Sequence, residues 1–311
     1  MDFTSLVYFT EAVKDLNFTN TAKRLFISQQ NLSNHIARLE SYYDVKLFER
    51  KPKLALTYAG QVLLGYAENF KIGEENLKTV LFDMKQQEIG MLSIGVSPSR
   101  TSIVAPALAD IFNQKYPNVE LHYFHHHSTT LNEMLLDGRL DFIIGIDKEH
   151  HPHIESFPIF KDTLFVIIAD ELLKKSLGPA ADQFLEKAEN GIQIKDIVDI
   201  PIINIRSTDI VKDCFKLEGY EPNFTVTSNY PQFFMPNYYE NIAASIVTKT
   251  VYLHIKDTIP SHIHVYPLRI DTTNLLNDIS IIKNKRKILS IYAEHFIEIS
   301  QKYFHDLAEK L

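Results

Sequence analysis

The chain has 311 residues, of which 45% are hydrophobic and 23% are charged, a composition typical of globular proteins and long enough for two or three domains. Its single cysteine, Cys214, excludes an internal disulfide framework and a two-cysteine redox switch, and fits a reducing cytoplasm. No apolar run is long enough to span a bilayer, and the N-terminus lacks a basic segment followed by an apolar one, so neither a membrane anchor nor a signal peptide is expected.

Charge is distributed unevenly along the chain. The net charge of −7 argues weakly against nucleic-acid binding by the chain as a whole. Residues 1–60, however, carry eight Lys and Arg against six Asp and Glu, whereas the remainder carries 24 against 33. A mildly basic head on an acidic body favours a DNA-binding module attached to another domain.

The N-terminal segment predicts two short helices in succession. The apolar stripe of the first helix consists of Leu6, Phe9, Val13 and Leu16. Thr19 is predicted to cap the second helix, with Phe18 packing back onto the helix that it opens. The expected buried face of the second helix consists of Ala22, Leu25 and Phe26.

A third helix, capped by Ser28, has two faces of different chemistry. The apolar stripe is spaced at four, three and four residues and consists of Leu32, Ile36, Leu39 and Tyr43. The other face is uncharged and carries Gln29, Gln30, Ser33, Asn34 and Ala37. Amides and hydroxyls donate to and accept from the edges of DNA bases, so the two consecutive helices predict a helix-turn-helix with a base-reading second helix.

A basic wing is predicted after this helix, in two short extended pieces around Lys51-Pro52-Lys53. Cations on such a wing can neutralise phosphates or enter a minor groove. The alternative is that residues 1–60 form a small helical bundle with an ordinary polar surface. The candidate DNA-binding residues are Thr19, Ser28, Gln29, Gln30, Ser33, Asn34, Arg38, Arg50, Lys51 and Lys53.

This segment resembles the LysR-type transcriptional regulators over its full length, in many fixed spacings. The matching pieces are Leu6 with Tyr8-Phe9, Ala12-Val13, Phe18-Thr19, Ala22 with Arg24-Leu25, Ile27-Ser28-Gln29, Leu32-Ser33, Ile36 with Arg38-Leu39-Glu40, Leu47-Phe48 with Arg50, and Leu56-Thr57 with Ala59-Gly60. The chain departs from the family at Gln30-Asn31, where Pro-Ala is usual, at Asn34, where Arg is usual, and in a wing about one residue short. These departures affect base preference, because Asn suits adenine whereas Arg suits guanine.

A long helix is predicted from Tyr58 to about Gln87, because breakers are few in this stretch. An apolar seam recurs at seven-residue steps through Leu63, Phe70, Leu77 and Met84, with Ala67 and Leu81 on the adjacent column. Such a repeat is typical of a helix that packs along a partner helix. The alternative is that the seam packs on its own domain. The resemblance implies a dimerisation helix that joins the DNA-binding head to an effector domain.

From Met91 onward, strands and helices alternate, and the strands are almost continuously apolar. This pattern favours parallel α/β architecture. We expect a helix over residues 102–114 that buries Val104, Leu108, Ile111 and Phe112, with Pro106 tolerated only near its start. Later helices are expected at 181–189, 208–218, around 237–244 and at 288–305. The resemblance implies a two-lobed, periplasmic-binding-protein-like effector domain.

A ligand site is expected between the lobes, at strand C-termini and helix N-termini. The segments that qualify are 97–102 in the first lobe, 206–208 in the second, and the hydroxyls near His127. The candidate effector-binding residues are Ser97, Ser99, Arg100, Thr101, Ser128, Thr129, Arg206 and Ser207. The predicted ligand is an anion, a small carboxylate. Alternatively, the hydroxyls are ordinary helix caps and the arginines are solvated or paired with Asp209 or Glu155.

Histidines form two sequence clusters, which raise the alternatives of a metal site or a pH switch. The clusters are His122, His125, His126 and His127, and His150, His151 and His153. No cysteine accompanies them and no helical His pair brackets a Glu, so we interpret them as surface and loop histidines and expect no metal and no cofactor. A catalytic role would be expected to show a nucleophile elbow, a phosphate loop or a dinucleotide fingerprint, and none is present.

The predicted organisation is a winged helix-turn-helix at 1–60, a linker and dimerisation helix at 61–90, and an effector-binding domain at 91–311. Lobe one comprises about 91–160 with 268–305, and lobe two about 161–267. We interpret the protein as a cytoplasmic, dimeric or tetrameric, ligand-responsive transcription regulator rather than an enzyme. Its expected partners are double-stranded DNA, a small-molecule effector and further copies of the chain, with no membrane.

Overall fold

The computed structural model describes residues 3–50, 53–83, 89–147, 151–188, 191–205, 210–228, 241–270 and 278–309, and for residues 98–100 it describes the backbone alone. The chain divides into two compact units. The first contains Met1–Phe82 and Arg286–Ile288, and the second contains Asp83–Lys285 and Leu289–Leu311.

Three helices form the core of the first unit: α1 (Phe3–Asp15), α2 (Phe18–Arg24) and α3 (Gln29–Tyr43). The apolar positions of α1 and α3 recur every three or four residues, so each helix buries one stripe. The buried side chains include Leu6, Phe9, Ala12, Leu32, Ile36 and Leu39. The predicted stripe of α3 is thus confirmed except at Tyr43, which is 42% exposed at the last residue of the helix.

Helix capping agrees with the sequence at one helix and not at the other. The Ser28 hydroxyl accepts a hydrogen bond from the Asn31 backbone N–H at 3.1 Å, which confirms the predicted cap of α3. The predicted Thr19 cap is wrong, because α2 begins one residue earlier than expected. Asn17 is its cap, and its side-chain oxygen accepts from the backbone N–H groups of Thr19 and Asn20, each at 3.1 Å.

The predicted burial of Phe26 is also wrong: its side chain is 96% exposed. Helix α2 ends at Arg24, and the chain reverses direction through Leu25 and Phe26 before α3 begins. Phe26 has a φ of 55°, a left-handed conformation that turns its side chain away from the core. The aromatic volume of the core comes instead from Phe9, Phe18 and Phe48. The rings of Phe18 and Phe48 meet edge-on at 5.2 Å.

The predicted wing is a two-stranded antiparallel ribbon of β1 (Phe48–Glu49) and β2 (Ala55–Leu56). A buried carboxylate, Glu40, joins it to α3. Glu40 is 5% exposed and accepts from the Leu47 backbone N–H at 2.9 Å, while the Lys46 ammonium lies 3.3 Å from its other oxygen. The start of the wing is therefore tied to the C-terminal end of α3.

The long helix α4 (Tyr58–Asp83) buries Gly60, Leu63, Ala67 and Ile72, whereas most of the predicted seam beyond Ala67 is exposed. Leu63 and Ala67 belong to the core of the unit. Phe70, Leu77 and Leu81 are 54%, 58% and 50% exposed, and Met84 lies outside the described residues. Within the single chain, most of the predicted seam is thus uncovered.

The second unit contains a five-stranded sheet in the order β4-β3-β5-β12-β6. Its strands are β3 (Gly90–Val96), β4 (Val119–Phe124), β5 (Phe142–Gly145), β6 (Ile154–Phe160) and β12 (Ile279–Asn284). Strands β4, β3 and β5 are parallel, whereas β12 is antiparallel to both β5 and β6. The helices of this part are α5 (Pro98–Asn113), α6 (Ser128–Leu136) and α11 (Ile291–Ala308).

The rest of the second unit is built on a three-stranded antiparallel sheet, β10-β7-β11, and a parallel pair, β8-β9. The strands are β7 (Leu164–Ala169), β8 (Ile202–Ile205), β9 (Phe224–Ser228), β10 (Ser245–Thr248) and β11 (Ile263–Leu268). The helices are α7 (Asp170–Leu177), α8 (Ala181–Ala188), α9 (Ile210–Leu217) and α10 (Lys249–Ile255). One apolar cluster runs from the five-stranded sheet into this part, through Phe112, Phe142, Phe165, Val251 and Phe296.

The expected α/β architecture is confirmed, but the expected parallel sheet is wrong in part. The segment of β12 was expected to return to the first lobe, but its antiparallel direction was not predicted, and β6, β11, α7 and α10 were not separately predicted. Helix α5 begins at Pro98, so Pro106 lies in its interior, and Ile111 is 43% exposed rather than buried. Of the helix expected around 237–244, residues 237–240 lie outside the described residues, and residues 241–243 are turn and coil before Ala244 bridges to Ile202.

Candidate functional site

The exposed side of α3 carries a continuous row of uncharged residues. Gln30, Asn34, Ala37 and Ser41 are all exposed, and their spacing of four, three and four residues puts them along one line of the helix. Leu32, Ile36 and Leu39 lie on the opposite side, in the core. We call this row the α3 ridge. Since the core fixes the rotation of the helix, the ridge is held outward.

A groove lies on one flank of the ridge and brings together side chains from three elements. It has a volume of ≈ 630 Å³, and its predicted DNA-binding residues are Thr19, Gln29, Ser33, Arg50 and Lys53. The Thr19 hydroxyl donates to the Gln29 side-chain oxygen at 3.2 Å, which links α2 to the first turn of α3. The guanidinium of Arg50 lies 5.9 Å from the centre of the Phe18 ring, a cation–π distance that positions this cation at the base of the wing.

A second groove of ≈ 580 Å³ follows the other flank of α3. Its predicted residues are Asn34 and Arg38. Ser5 and Tyr42 also line it and were not predicted, because neither a buried serine on an amphipathic helix nor a terminal tyrosine has a sequence signal. The Ser5 hydroxyl lies 2.8 Å from Nδ1 of His35, so this wall of the groove is fixed by a contact between α1 and α3.

Two further predicted DNA-binding residues are Ser28 and Lys51. The Ser28 hydroxyl caps α3 by accepting from the Asn31 backbone N–H, so Ser28 helps to fix the start and orientation of this helix. Lys51 lies outside the described residues.

Charges near the turn are neutralised within the first unit. The Arg24 guanidinium hydrogen-bonds Glu11 and lies 2.7 Å from Asp15, and the Lys14 ammonium lies 2.6 Å from Glu11. Partial burial pulls the pKa of Glu11 upward, but the hydrogen bonds and charges of Lys14 and Arg24 outweigh it and hold the pKa below its ordinary value. Hydrogen bonds from Arg24 and Thr21 lower the pKa of Asp15. Arg24 therefore serves the fold of the head.

In the second unit, two of the predicted ligand-binding segments, 97–102 and the hydroxyls near His127, follow neighbouring strands of the five-stranded sheet. The parallel neighbours β3 and β4 end at Val96 and Phe124, and the helices that follow begin at Pro98 and Ser128. Parallel strands end at the same edge, so two helix N-termini converge there. Such termini carry unpaired backbone N–H groups and a partial positive charge, which suit an anion.

The predicted effector-binding residues are placed as follows. Ser97 is the half-buried N-cap of α5, and the Thr101 hydroxyl donates to its backbone oxygen at 3.0 Å. Ser128 is half-buried and Thr129 exposed in the first turn of α6. The backbones of Ser99 and Arg100 belong to the first turn of α5, and their side chains lie outside the description. Arg206 and Ser207, with Thr208 and Asp209, lie outside the described residues, just after β8.

The remaining candidates have ordinary surroundings. Within the described part of the chain, no group of three or more His, Cys, Asp and Glu could hold a metal ion. His122 lies 2.7 Å from Glu120, and the His125 and His126 rings stack on each other.

Burial raises the pKa of the Cys214 thiol to about 12, with the charges of Asp213 and Glu218 adding to the effect, so the reactive thiolate is suppressed. No described helix is both long and apolar enough to cross a membrane.

Two family profiles match the chain. The one described as "Bacterial regulatory helix-turn-helix protein, lysR family" matches residues 3–61, and the one described as "LysR substrate binding domain" matches residues 85–188. Among curated proteins, the HTH-type transcriptional regulator YtlI of Bacillus subtilis (strain 168) is 33% identical over 171 residues, which is 55% of this chain and 56% of that protein. The matches to the first relatives span 49% to 59% of their lengths.

Solved structures match the fold along almost the entire chain. The full-length OxyR C199D protein from Pseudomonas aeruginosa aligns with a TM-score of 0.64 at 19% identity, over 98% of this chain and 95% of that one. Full-length CbnR complexed with its target DNA aligns with a TM-score of 0.55 at 22% identity, over 97% and 99% of the two chains. Identities this low show a shared fold alone.

Proposed function

Because the chain belongs to the LysR family of bacterial helix-turn-helix regulators, we propose that it is a transcription regulator whose binding to double-stranded DNA responds to a small-molecule effector. The observation that carries the first half of this proposal is the α3 ridge with its two flanking grooves. An outward helix of amides and hydroxyls, with cations beside it, has the chemistry and shape that enter a major groove.

The positions of the residues in the head divide them into those that can contact bases and those that suit phosphates. Residues on the ridge and its flanks can reach base edges: Gln29, Gln30, Ser33 and Asn34. The cations Arg38, Arg50 and Lys53, together with Lys51 of the wing, suit phosphates, which position a protein without specifying sequence. A mixed interface of this kind supports both affinity and selectivity.

DNA binding is tested by mapping the genomic sites bound by the protein in cells and by measuring affinity for the recovered duplexes by fluorescence anisotropy. We expect a small set of shared sequences and a dissociation constant that rises steeply with salt. Binding of equal strength to all duplexes, or none, would contradict the proposal. The genes beside the sites would also indicate the pathway and hence the effector.

For the effector, we propose a small carboxylate at the sheet edge where α5 and α6 begin. The support is the convergence of two helix N-termini with the hydroxyls of Ser97, Thr101, Ser128 and Thr129. On the sequence pattern alone, Ser99, Arg100, Arg206 and Ser207 are proposed as further ligands of the carboxylate. Hydroxyls and N–H groups would hold the carboxylate, and an arginine would pair with it in a bidentate manner.

This placement is tested with a panel of aliphatic and aromatic carboxylates in thermal-shift and calorimetric titrations. We expect Ser99→Ala and Arg100→Ala to weaken binding of any stabilising carboxylate, whereas Ser102→Ala, an exposed neighbour on the same helix, leaves it unchanged. A carboxylate that binds both test variants as tightly as the wild type would show that the site lies elsewhere.

The proposed regulator acts as a homodimer or homotetramer, since two heads gain affinity on paired half-sites that one small head lacks. The exposed seam of α4, with Phe70, Leu77 and Leu81, supports a helix-to-helix contact between copies. A regulator of this kind is proposed not to be an enzyme, to require no cofactor and to work in the cytoplasm. Effector binding would act by shifting the population between states with different DNA affinity.

A further inference from the structure

We infer that the α3 ridge selects adenine–thymine pairs in the major groove. This inference rests on the proposed function, DNA binding through α3, and goes beyond it by naming the bases that are read. It comes from the chemistry of the ridge itself: Gln30, Asn34, Ala37 and Ser41.

The ridge lies on the side of α3 opposite the core, with the exposed Asn31 and Arg38 beside it. Its four residues are exposed, while Ser33 on one flank is half-buried and His35 on the other side is held by Ser5. Within the described residues, no hydrogen bond engages the side-chain amides of Gln30 and Asn34, in contrast to Gln29, whose oxygen accepts from Thr19. The two amides are therefore available to a base.

Three of the four side chains of the ridge match an edge of an A·T pair. An Asn or Gln amide makes two hydrogen bonds to adenine, donating to N7 and accepting from the N6 amino group. Gln30 and Asn34, one helical turn apart, can do so at neighbouring positions. The Ala37 methyl group, on the next turn, can contact the C5-methyl group of thymine. Ser41 hydrogen-bonds any base and so adds no preference.

The residues that read G·C pairs are missing from this row. Guanine is read by Arg or Lys, which donate to O6 and N7, and cytosine by Asp or Glu, which accept from N4. Three cations line the grooves: Arg38 shares one groove with Asn34, Ala37 and Ser41, and Arg50 and Lys53 lie in the other. The single carboxylate on α3, Glu40, is buried and accepts from the Leu47 N–H. The ridge thus has no group that specifies guanine or cytosine.

The test is selection of duplexes from a random library by the 311-residue protein, followed by sequencing. The wild type is compared with Asn34→Ala, Asn34→Arg and Lys53→Ala. We expect the wild type to enrich adenine at the position read by Asn34, Asn34→Ala to lose the preference there, and Asn34→Arg to change it to guanine. Lys53→Ala is the matched control for a phosphate contact. It is expected to lower the affinity for all duplex sequences by the same factor.

A chemical substitution in the DNA checks the contact atoms. Replacing the selected adenine by 7-deazaadenine removes the N7 acceptor and leaves the pairing edge intact. We expect wild-type affinity to fall by about 2- to 13-fold, the range for the loss of one of the two hydrogen bonds, and Asn34→Ala to be insensitive to the replacement.

The possible failures are distinguishable. Enrichment of guanine or cytosine by the wild type under the ridge, or an unchanged preference in Asn34→Arg, would overturn the A·T inference while leaving DNA binding intact. Recovery of no shared sequence at all would overturn the proposed function, and the inference with it.

Discussion

At the scale of single residues, the turn between α2 and α3 contains the exposure and the backbone conformation that depart most from what the residue type favours. Phe26 combines 96% exposure with a φ of 55°, and both are unfavourable for a bulky aromatic residue. Asp44, which ends α3 with a φ of 53°, is a residue type that tolerates this conformation through its short polar side chain. The conformation at Phe26 is imposed by its neighbours, because Ala22 and Ile27 must both reach the core.

We predict that Phe26→Asn stabilises the protein by about 1 kcal/mol, because asparagine adopts left-handed φ values at lower cost than phenylalanine. Chemical denaturation followed by circular dichroism measures the change. Phe26→Leu is the control, since it removes the ring and keeps a residue unsuited to the conformation, and it should leave stability nearly unchanged. A less stable Phe26→Asn would mean that the exposed ring contributes packing that the structure does not show.

At the scale of elements, buried polar contacts fix how helices and strands join. The carboxylate of Glu40 lies under the wing, and that of Asp162 lies between β6 and β7. Asp162 is 3% exposed and accepts from the backbone N–H and the hydroxyl of Thr250, at 2.8 and 2.9 Å. Each carboxylate satisfies donors that would otherwise be buried without a partner, so each specifies one junction of the fold.

We predict that Glu40→Ala destabilises the protein by about 1–3 kcal/mol, because the buried Leu47 N–H loses its acceptor. Glu40→Gln keeps an acceptor oxygen at that position and should lower the free energy of unfolding by a smaller amount. Urea denaturation of the two variants measures both losses. Equal losses would show that the negative charge, rather than the hydrogen bond, is what the junction needs.

The acidic residues beside Arg24 predict a pH dependence of stability. The pKa values of Glu11 and Asp15 lie below their ordinary values of 4.5 and 3.8 in the folded chain. Depressed carboxyl pKa values stabilise the folded state above the ordinary values, and this stabilisation is lost as the pH falls through the folded ones. Arg24→Gln is therefore expected to lower the melting temperature at pH 7 and to have progressively less effect below about pH 4.

The matched control for this experiment is Lys23→Gln, which removes the same charge from the neighbouring exposed position of α2. Its effect on the melting temperature is expected to be smaller at pH 7. A deficit of Arg24→Gln that persists unchanged at pH 3 would contradict the electrostatic origin and point to lost packing of the arginine side chain.

At the scale of the whole molecule, the contrast between the two ends of α4 is the main feature. The first turns belong to the core of the first unit, and Leu77 and Leu81, farther along, are at least half exposed. Apolar residues repeated along an uncovered helix face are a costly arrangement in water and are typical of an interface.

We predict that Leu77→Glu converts the oligomer to monomers, or weakens association by at least tenfold, because a charge would be desolvated in the seam. Sedimentation equilibrium measures the mass, and circular dichroism should show an intact fold, since Leu77 is 58% exposed in the single chain. Gln61→Glu adds the same charge on the opposite, exposed side of α4 and should leave the mass unchanged. An oligomer that survives Leu77→Glu would place the interface elsewhere.

Local periodicity and capping chemistry sufficed to predict much of the head. The spacing of Leu32, Ile36 and Leu39 determines which side of α3 is buried and hence which residues form the ridge. The cap of α3 at Ser28 and the two-stranded wing could also be predicted, because each depends on residues close together in the chain. The site residues of the effector domain stay predictions, and part of them lies outside the described residues.

Tertiary structure alone decided the features that depend on distant residues. The insertion of β12 between β5 and β6 joins residues more than a hundred positions apart, and the apolar run of β12 does not indicate its direction. The exposure of Phe26 and the buried role of Glu40 likewise follow from where neighbouring elements end. A sequence pattern indicates which face of a helix or strand is buried. The pairing partners and the direction of a strand are determined by the packing of the assembled core, which involves residues far apart in the chain.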